Sequence, residues 1–361
     1  MLIYIDNTIA EYLDHNQLDS NQQAFFASLA LAHQKGQCIV FGQVKSIKAL
    51  ITCLGSPING IYKSILSKYS EYGSIAKWTS SVFVISCQEE AGLPSTLPDV
   101  LLDKARYCSV EDAALMNWTL GSCLLGENIS DCVFYEFIGK YYAKKNKIRN
   151  VRIVFHHEQG GGSDIGSVLR KCVKTDALPT LCITDTDMKY GAFDKNEKAA
   201  KGGTFSACDI VSKQLVREGY MHRFCFTHNS VHEIENLVPL SLLKMLGNEI
   251  CLPEGIKHLE ELEKIEHGEP ILYYDFKKGE IVNPTTPCGK YWEHVFAQTS
   301  IQKDDNHFEK VTCEHFLDRV NDYIIANGLV CISLNQYLIS IWTELGRIIF
   351  TWGCASRPTR T

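Results

Sequence analysis

Acidic residues recur in this sequence directly after short apolar stretches. They are Glu127 and Asp131, Asp185 and Asp187, and Glu233 and Glu235. Carboxylate oxygens are the ligands that hard divalent cations such as Mg²⁺ prefer. Two such ions about 4 Å apart can activate a water on one side of a phosphodiester and stabilise the leaving oxygen on the other. The residue types therefore predict a Mg²⁺- or Mn²⁺-dependent nuclease.

The spacing of the first two pairs is consistent with this chemistry. Asp185 and Asp187 are two residues apart, so in an extended segment both side chains leave the same face. Glu127 and Asp131 are four apart across a predicted strand-to-helix turn, where the helix dipole favours an acid. A structural alternative is open for this second pair: Ser130 would cap the helix, with Asp131 in its first turn. Both readings can hold, because a cap would also orient a catalytic acid.

In the third pair, Glu233 and Glu235, either residue could be the metal ligand and the other a surface residue. The two side chains share a face if the segment is extended. Glu235 is the preferred metal ligand from its Asn-Leu context, and Glu233 is kept as a second candidate.

The elements that must position these acids are predicted from hydrophobic periodicity. Strands are predicted at 123–125, 151–155, 180–184 and 222–226, with helices between them. This alternation is typical of βαβ units and predicts an α/β fold with a mostly parallel sheet flanked by helices. Ligands of such sheets bind at the carboxyl ends of the strands, and the first, third and fourth of these strands lead into the acids.

The remaining sequence is divided by its change of pattern into three regions. Residues 1–117 form an N-terminal α/β region of unknown role, with strands predicted at 2–5, 38–41 and 82–85. Residues 118–245 form the catalytic domain. Residues 246–361 form a mainly helical C-terminal extension, in which 271–276 is predicted to be a strand. Asp6, after the first strand, is interpreted as a turn or cap residue.

Composition limits the function classes. The 361 residues carry 36 Lys and Arg against 42 Asp and Glu, a net charge of -6, which argues against coating nucleic acid through bulk charge. The 15 cysteines include no Cys-x-x-Cys pair, which favours reduced thiols in the cytoplasm. Neither a signal peptide nor an uninterrupted apolar span is evident, so no membrane association is expected.

Three sequence segments, taken in order, resemble a known family. They are Leu125-Gly-Glu-Asn-Ile-Ser-Asp131, Ile183-Thr-Asp-Thr-Asp187 and Glu233-Ile-Glu-Asn-Leu237. Residues 118–245 resemble a Toprim domain, and more narrowly the Toprim nucleases of the overcoming-lysogenization-defect (OLD) family and related antiphage effectors. Asn128 stands where that family often has glycine.

The resemblance implies a role for each acid. Glu127 would be an acid/base and metal-associated residue joined by Asp131, Asp185 and Asp187 would bind Mg²⁺, and Glu235 would complete the site. Such nucleases tend to use a lysine downstream of the last acid, and Lys277 and Lys278 are the best placed, with Lys277 taken as the candidate. The founding members also carry an ATPase, but no phosphate-binding loop occurs here, so any ATPase must be a separate subunit.

Other motifs are given structural interpretations. The set Cys225, His228 and His232 lacks a second pair at zinc-finger spacing, and His228 is expected near the acidic site. The glycine run 160–162 is predicted to be a flexible turn before a helix. The basic run 144–149 is predicted to be a solvated helix end.

The prediction is a cytoplasmic endonuclease that hydrolyses DNA or RNA and acts in bacterial antiphage defence. We expect a regulatory partner or an oligomeric assembly, because such a nuclease must be silenced until infection. Two alternatives remain open. One is a non-catalytic nucleic-acid-binding or regulatory subunit, and the other is primase- or topoisomerase-like phosphoryl transfer on the same core.

Overall fold

The computed structural model describes residues 1–87, 97–190, 202–247, 251–281, 283–301 and 307–358. Its strands are β1 (Leu2–Ile5), β2 (Ile39–Gly42), β3 (Val82–Ser86), β4 (Ala105–Ser109), β5 (Cys123–Gly126), β6 (Val151–Ile153), β7 (His156–Gln159), β8 (Thr180–Thr184), β9 (Phe224–His228), β10 (Glu280–Ile281), β11 (His307–Phe308) and β12 (Cys354–Ser356). Its helices are α1 (Thr8–Leu13), α2 (Ser20–Gln34), α3 (Val44–Cys53), α4 (Ile58–Ser67), α5 (Tyr69–Ile75), α6 (Asp99–Leu102), α7 (Val110–Ala114), α8 (Ile129–Lys145), α9 (Ile165–Lys174), α10 (Gly203–Arg217), α11 (Leu240–Leu246), α12 (Pro253–Glu263), α13 (Pro287–Phe296), α14 (Phe316–Asn327) and α15 (Ile339–Gly353). The predicted α/β class is confirmed, with a mainly helical C-terminal region.

The first sheet lies in the N-terminal region and has the strand order β2-β1-β3-β4. All its pairs are parallel. Strands β1, β2 and β3 are buried along their whole length, as their continuous apolar runs predict for a sheet covered on both faces. Asp6, directly after β1, accepts a hydrogen bond from the Thr8 backbone N–H at 3.1 Å and so fixes the turn into α1.

The second sheet has the order β7-β5-β8-β9, and all its pairs are parallel. The central strands β5 and β8 are fully buried, and the connections between strands carry helices α8, α9 and α10. Because the strands are parallel, the carboxyl ends of β5, β8 and β9 lie at one edge of the sheet. The predicted parallel sheet flanked by helices is therefore present.

Helix α8 is buried around most of its circumference because it packs against both the second sheet and α15. Phe134 of α8 meets Trp342 of α15 edge-on, with ring centroids 5.9 Å apart. A Cβ at Gly139 would lie 2.6 Å from Ile349 Cγ2, so the glycine allows the two helices to approach closely. The C-terminal region therefore shares its core with the second sheet. Within the described residues, we find no helix whose length and apolarity would suit a bilayer span.

The predicted strand at 151–155 is wrong in its partner and its extent. Val151–Ile153 forms β6, which pairs antiparallel with β12 at the other end of the chain. The edge strand of the second sheet is instead His156–Gln159, which pairs with β5. This strand is polar and half-exposed because it lies at a sheet edge, so it has no apolar signal in the sequence.

The predicted strand at 271–276 is also wrong. Glu266–Tyr273 is a kinked 3₁₀ segment that contains Pro270. Its carbonyl groups bond to distant partners: Leu272 O accepts the His232 N–H at 2.8 Å, and Ile271 O accepts the Asn236 side chain at 2.7 Å. These hydrogen bonds to a side chain and to a loop take the place of pairing with a neighbouring strand. The apolar composition of the segment could not reveal these partners.

Candidate functional site

The acids that follow β5, β8 and β9 lie at the carboxyl edge of the second sheet. Glu127 follows Gly126, the last residue of β5, and Asp185 follows Thr184, the last residue of β8. Strands β5 and β8 are adjacent, with Leu125 opposite Cys182. The sheet register therefore brings the first two predicted motifs together.

Glu127 is half-buried and faces the Asp-x-Asp segment. Burial raises its pKa, the charge of Asp187 raises it further, and a hydrogen bond from the Thr204 side chain opposes both effects. Thr204 lies in the first turn of α10, whose contribution to the site the sequence analysis did not predict. Glu127 is thus a carboxylate with raised proton affinity, as an acid/base residue requires.

Asp131 is buried and has the capping role considered for it. Its Oδ2 accepts the Asn128 backbone N–H at 2.9 Å, so it caps the start of α8. The capping residue is Asn128 rather than the predicted Ser130. Burial raises the pKa of Asp131 to about 7 against this hydrogen bond, with help from the charges of Glu235 and Glu127. The cap therefore holds Asp131 facing the other acids.

Asp185 is buried, like Asp131 and Glu235. Burial raises its pKa well above the ordinary range, and the charges of Glu235 and Asp131 add to the effect. The Asn229 side-chain amide donates to Asp185 Oδ1, and the Asn229 backbone N–H donates to Thr184 O at 3.1 Å. Asn229 is a residue of the site that the sequence analysis missed, because an asparagine after a strand is an ordinary turn residue.

Asp187 does not lie on an extended segment as predicted. Its φ of +52° is left-handed, and its N–H donates to His232 O at 2.9 Å. Thr186 O in turn accepts the Gly202 N–H at 2.9 Å. A Cβ at Gly202 would lie 1.6 Å from Asp187 Oδ2, so this carboxylate fills the space that a side chain at 202 would need. The turn, rather than strand alternation, sets the direction of Asp187.

Glu233 and Glu235 both contact Lys277. The Lys277 Nζ lies 3.2 Å from Glu233 Oε2 and 3.1 Å from Glu235 Oε1. The segment is not extended, since Ile234–Leu237 is a 3₁₀ helix. Burial would lower the pKa of Lys277, but the two carboxylates raise it overall. Glu235 is 6% exposed, and its Oε2 has no hydrogen-bond partner.

The lysine is presented by a turn that Asp275 fixes. Asp275 Oδ1 accepts the backbone N–H groups of Lys277 at 3.0 Å and Lys278 at 2.8 Å. This arrangement is an Asx-type turn. Asp275 is a second residue that sequence reasoning missed, because it lay inside the wrongly predicted strand at 271–276.

The predicted residues are linked to one another by electrostatic interactions. We call this group the carboxylate cluster: Glu127, Asp131, Asp185, Asp187, Glu233 and Glu235, with Lys277. Within the described residues, no three of the six acids bring carboxylate oxygens within 4.8 Å of one another. Mutual repulsion keeps like charges apart, and a bound cation would offset it. The acids of the cluster therefore interact electrostatically, but among the residues that the structure describes no three of their carboxylate oxygens lie as close together as 4.8 Å.

The other predicted motifs have mainly structural roles. Gly161 and Gly162 have positive φ and form a turn, in which Gly161 N–H donates to Glu127 O at 3.0 Å. His228 accepts the Ser230 N–H at 3.2 Å and stacks edge-on against Phe205. Neither Cys225 nor His228 belongs to a metal-ligand group in the described parts of the chain.

Comparison of the chain with protein-family models, curated proteins and solved structures found no match. The functional argument therefore rests on the residues of the site.

Proposed function

We propose that the protein is a Mg²⁺- or Mn²⁺-dependent nuclease that hydrolyses phosphodiester bonds at the carboxylate cluster. One observation carries the proposal: acids from three separate strand ends meet at one edge of a parallel sheet and raise one another's pKa values. Such an arrangement costs free energy unless a cation balances it, so a purely structural role does not explain it.

The donor atoms fit a hard cation. All six acids offer oxygen, and Glu235 Oε2 is buried without a hydrogen-bond partner. Asp185, Asp187 and Glu235 would hold one ion, and Glu127 and Asp131 would hold a second or activate water. When bound, Mg²⁺ lowers the pKa of water and stabilises charge on phosphate oxygens.

The protein residues supply the rest of the chemistry. Glu127 is half-exposed with a raised pKa, so it can accept a proton from an attacking water. Lys277 carries a positive charge beside Glu233 and Glu235 and is 48% exposed, so it can reach a phosphate. A fixed cation there would stabilise the negative charge that develops during hydrolysis.

The test is a cleavage assay with plasmid DNA, single-stranded DNA and tRNA. The purified protein is assayed with Mg²⁺, with Mn²⁺ and with EDTA. We expect cleavage only with metal, and a loss of about 100-fold or more in Glu127→Gln and Asp185→Asn, because each removes a charge from the reacting site.

The matched control is Glu254→Gln, which neutralises an exposed carboxylate of α12 paired with Lys257. It should cleave as the wild type does. Undiminished cleavage by both site variants would overturn the assignment. Absence of millimolar Mg²⁺ or Mn²⁺ binding in calorimetry would favour a regulatory subunit, and template-dependent oligomer synthesis from nucleotides would favour a primase.

The resemblance to Toprim nucleases of the OLD family also bears on the biological role of the protein. It supports a role as an antiphage effector that works with a separate ATPase or other defence subunit. Co-purification of the chain with the product of a neighbouring gene would test this part.

A further inference from the structure

A second group of metal-ligating side chains shares Glu233 with the carboxylate cluster and adds His232 and Asp275. His232 is 2% exposed, and neither ring nitrogen has a hydrogen-bond partner. Its Nε2 faces Asp275 Oδ2 at 3.7 Å, which is longer than a hydrogen bond. One ligand atom each from His232, Glu233 and Asp275 lie within 4.8 Å of one another. A buried imidazole whose two nitrogens both lack a hydrogen bond is costly, so this group requires an explanation.

Other contacts hold the backbone around the group, and Glu233 caps the 3₁₀ helix and pairs with Lys277, while both ring nitrogens of His232 are left without a hydrogen bond. His232 N–H donates to Leu272 O at 2.8 Å. Asp275 Oδ1 is occupied by the turn at Lys277 and Lys278, which leaves Oδ2 facing the imidazole. The Asn236 side chain joins the two segments by donating to Ile271 O and Tyr274 O.

The charges around the group favour a cation. Three acids face it, namely Glu233, Asp275 and the buried Glu280, whose Oε1 accepts the Asp275 N–H at 3.1 Å. Lys277 forms ion pairs with Glu233 and Glu235, and Lys278 and Lys189 are within electrostatic reach of Asp275 and Glu280 respectively. The charges that act on His232 itself are those of Glu233, Asp275 and Glu280. The surroundings of His232 therefore carry more negative than positive charge.

We propose that His232, Glu233 and Asp275 bind a divalent transition-metal ion, distinct from the Mg²⁺ of the carboxylate cluster. One imidazole and two carboxylates form a mixed nitrogen and oxygen donor set, which suits Mn²⁺, Fe²⁺ or Zn²⁺ better than Mg²⁺. This site does not depend on the proposed nuclease activity. Because His232 O accepts the Asp187 N–H, an ion at His232 would also steady the turn that carries Asp187.

The best probe is Mn²⁺, because the 15 cysteines of the chain would compete for Zn²⁺. The full-length protein is stripped with EDTA, dialysed and loaded with Mn²⁺, and electron spin-echo measurements then detect nitrogen bound to the ion. We expect an imidazole ¹⁴N coupling in the wild type and a rise in Tm on Mn²⁺ addition. The coupling should disappear in His232→Gln, and the rise in Tm should become smaller, because the carboxylate cluster can still bind Mn²⁺.

Two further variants keep the test interpretable. Asp275→Asn retains the Oδ1 acceptor of the turn and loses only the ligand charge, so it should fold and bind Mn²⁺ about tenfold more weakly or worse. His315→Gln changes an exposed histidine beside Asp318 and should retain the ¹⁴N coupling.

A wild type that binds Mn²⁺ without imidazole coupling, or a coupling that survives in His232→Gln, would overturn the proposal. No effect of Mn²⁺ on the spectrum or on Tm would instead indicate a simple His232–Asp275 ion pair. Glu127→Gln distinguishes this proposal from the nuclease, since it should abolish cleavage and retain the ¹⁴N coupling.

Discussion

The position of Asp187 depends on the absence of a side chain at residue 202. Gly202 has φ -66° and ψ 173°, a conformation open to any residue, so backbone strain is not the reason for glycine there. The reason is space, because its Cβ would meet Asp187 Oδ2. The neighbouring Gly203 has nothing within 4 Å of its Cβ position. This pair allows a matched test of Asp187.

Gly202→Ala should weaken Mn²⁺ binding at the carboxylate cluster and reduce cleavage by about tenfold or more, since the added methyl group displaces a ligand. The free energy of unfolding should also fall, because the added methyl group would lie 2.7 Å from Asp187 Cβ and must displace the base of that side chain. Calorimetric titration and the cleavage assay measure the two effects. Gly203→Ala should match the wild type, and equal behaviour of both variants would contradict the proposed role of Asp187.

At the scale of elements, α8 connects the site to the rest of the chain. Its first turn carries Asp131, and its middle packs against α15, where Phe134 contacts Trp342. A Cβ at Gly346 of α15 would lie 2.8 Å from Tyr142 Cβ and 3.2 Å from Ile138 O. The close packing of α8 against α15 therefore holds α8 in place, and with it the first turn that carries Asp131.

Gly346→Ala should destabilise the protein, because overpacking costs about 1–3 kcal/mol, more than the roughly 1 kcal/mol that alanine contributes in a helix. Urea unfolding measures the difference. The matched control is Gly60→Ala in α4, where the new methyl group meets nothing within 4 Å. That variant should be more stable by about 0.5–1 kcal/mol. A stabilised Gly346→Ala would mean that α8 and α15 are less tightly packed.

At the scale of the whole molecule, the last described strand connects helix α2 of the N-terminal region to strand β6. Strand β12 pairs with β6, and Ser356 Oγ donates to His33 O at 2.6 Å. The buried His33 accepts the Val40 N–H on its Nδ1 at 3.1 Å. Burial lowers the pKa of His33 to about 4, and the charge of Lys68 contributes. The junction therefore requires a neutral imidazole.

This requirement predicts a pH dependence of stability. The folded pKa lies below the ordinary value of 6.5, so the stabilisation is complete above pH 6.5 and is lost as pH falls towards 4. Between pH 7.5 and 5 the loss should be about 2 kcal/mol. His33→Asn keeps an acceptor for Val40 but does not titrate. Urea unfolding at both pH values should show a smaller loss for this variant, and equal losses would refute the prediction.

The sequence by itself determined the elements whose residues carry their own signal. The apolar runs at β1, β5 and β8 predicted strands, of which β5 and β8 were expected in a mostly parallel sheet. The order of acids after the central strands predicted where the carboxylate cluster would form. These features are local, since hydrophobic periodicity and the carboxyl ends of parallel strands need no knowledge of distant partners.

The tertiary structure alone decided the features that depend on contacts between distant segments. The 151–153 segment pairs with β12 some 200 residues later, and the 271–276 segment bonds to His232 and Asn236 instead of forming a strand. Asp187 is turned by a carbonyl of another loop, and Asn229, Asp275 and Thr204 join the site from outside the acidic motifs. Buried backbone groups form hydrogen bonds with whichever partner the fold brings near them, and neither composition nor residue spacing predicts that partner.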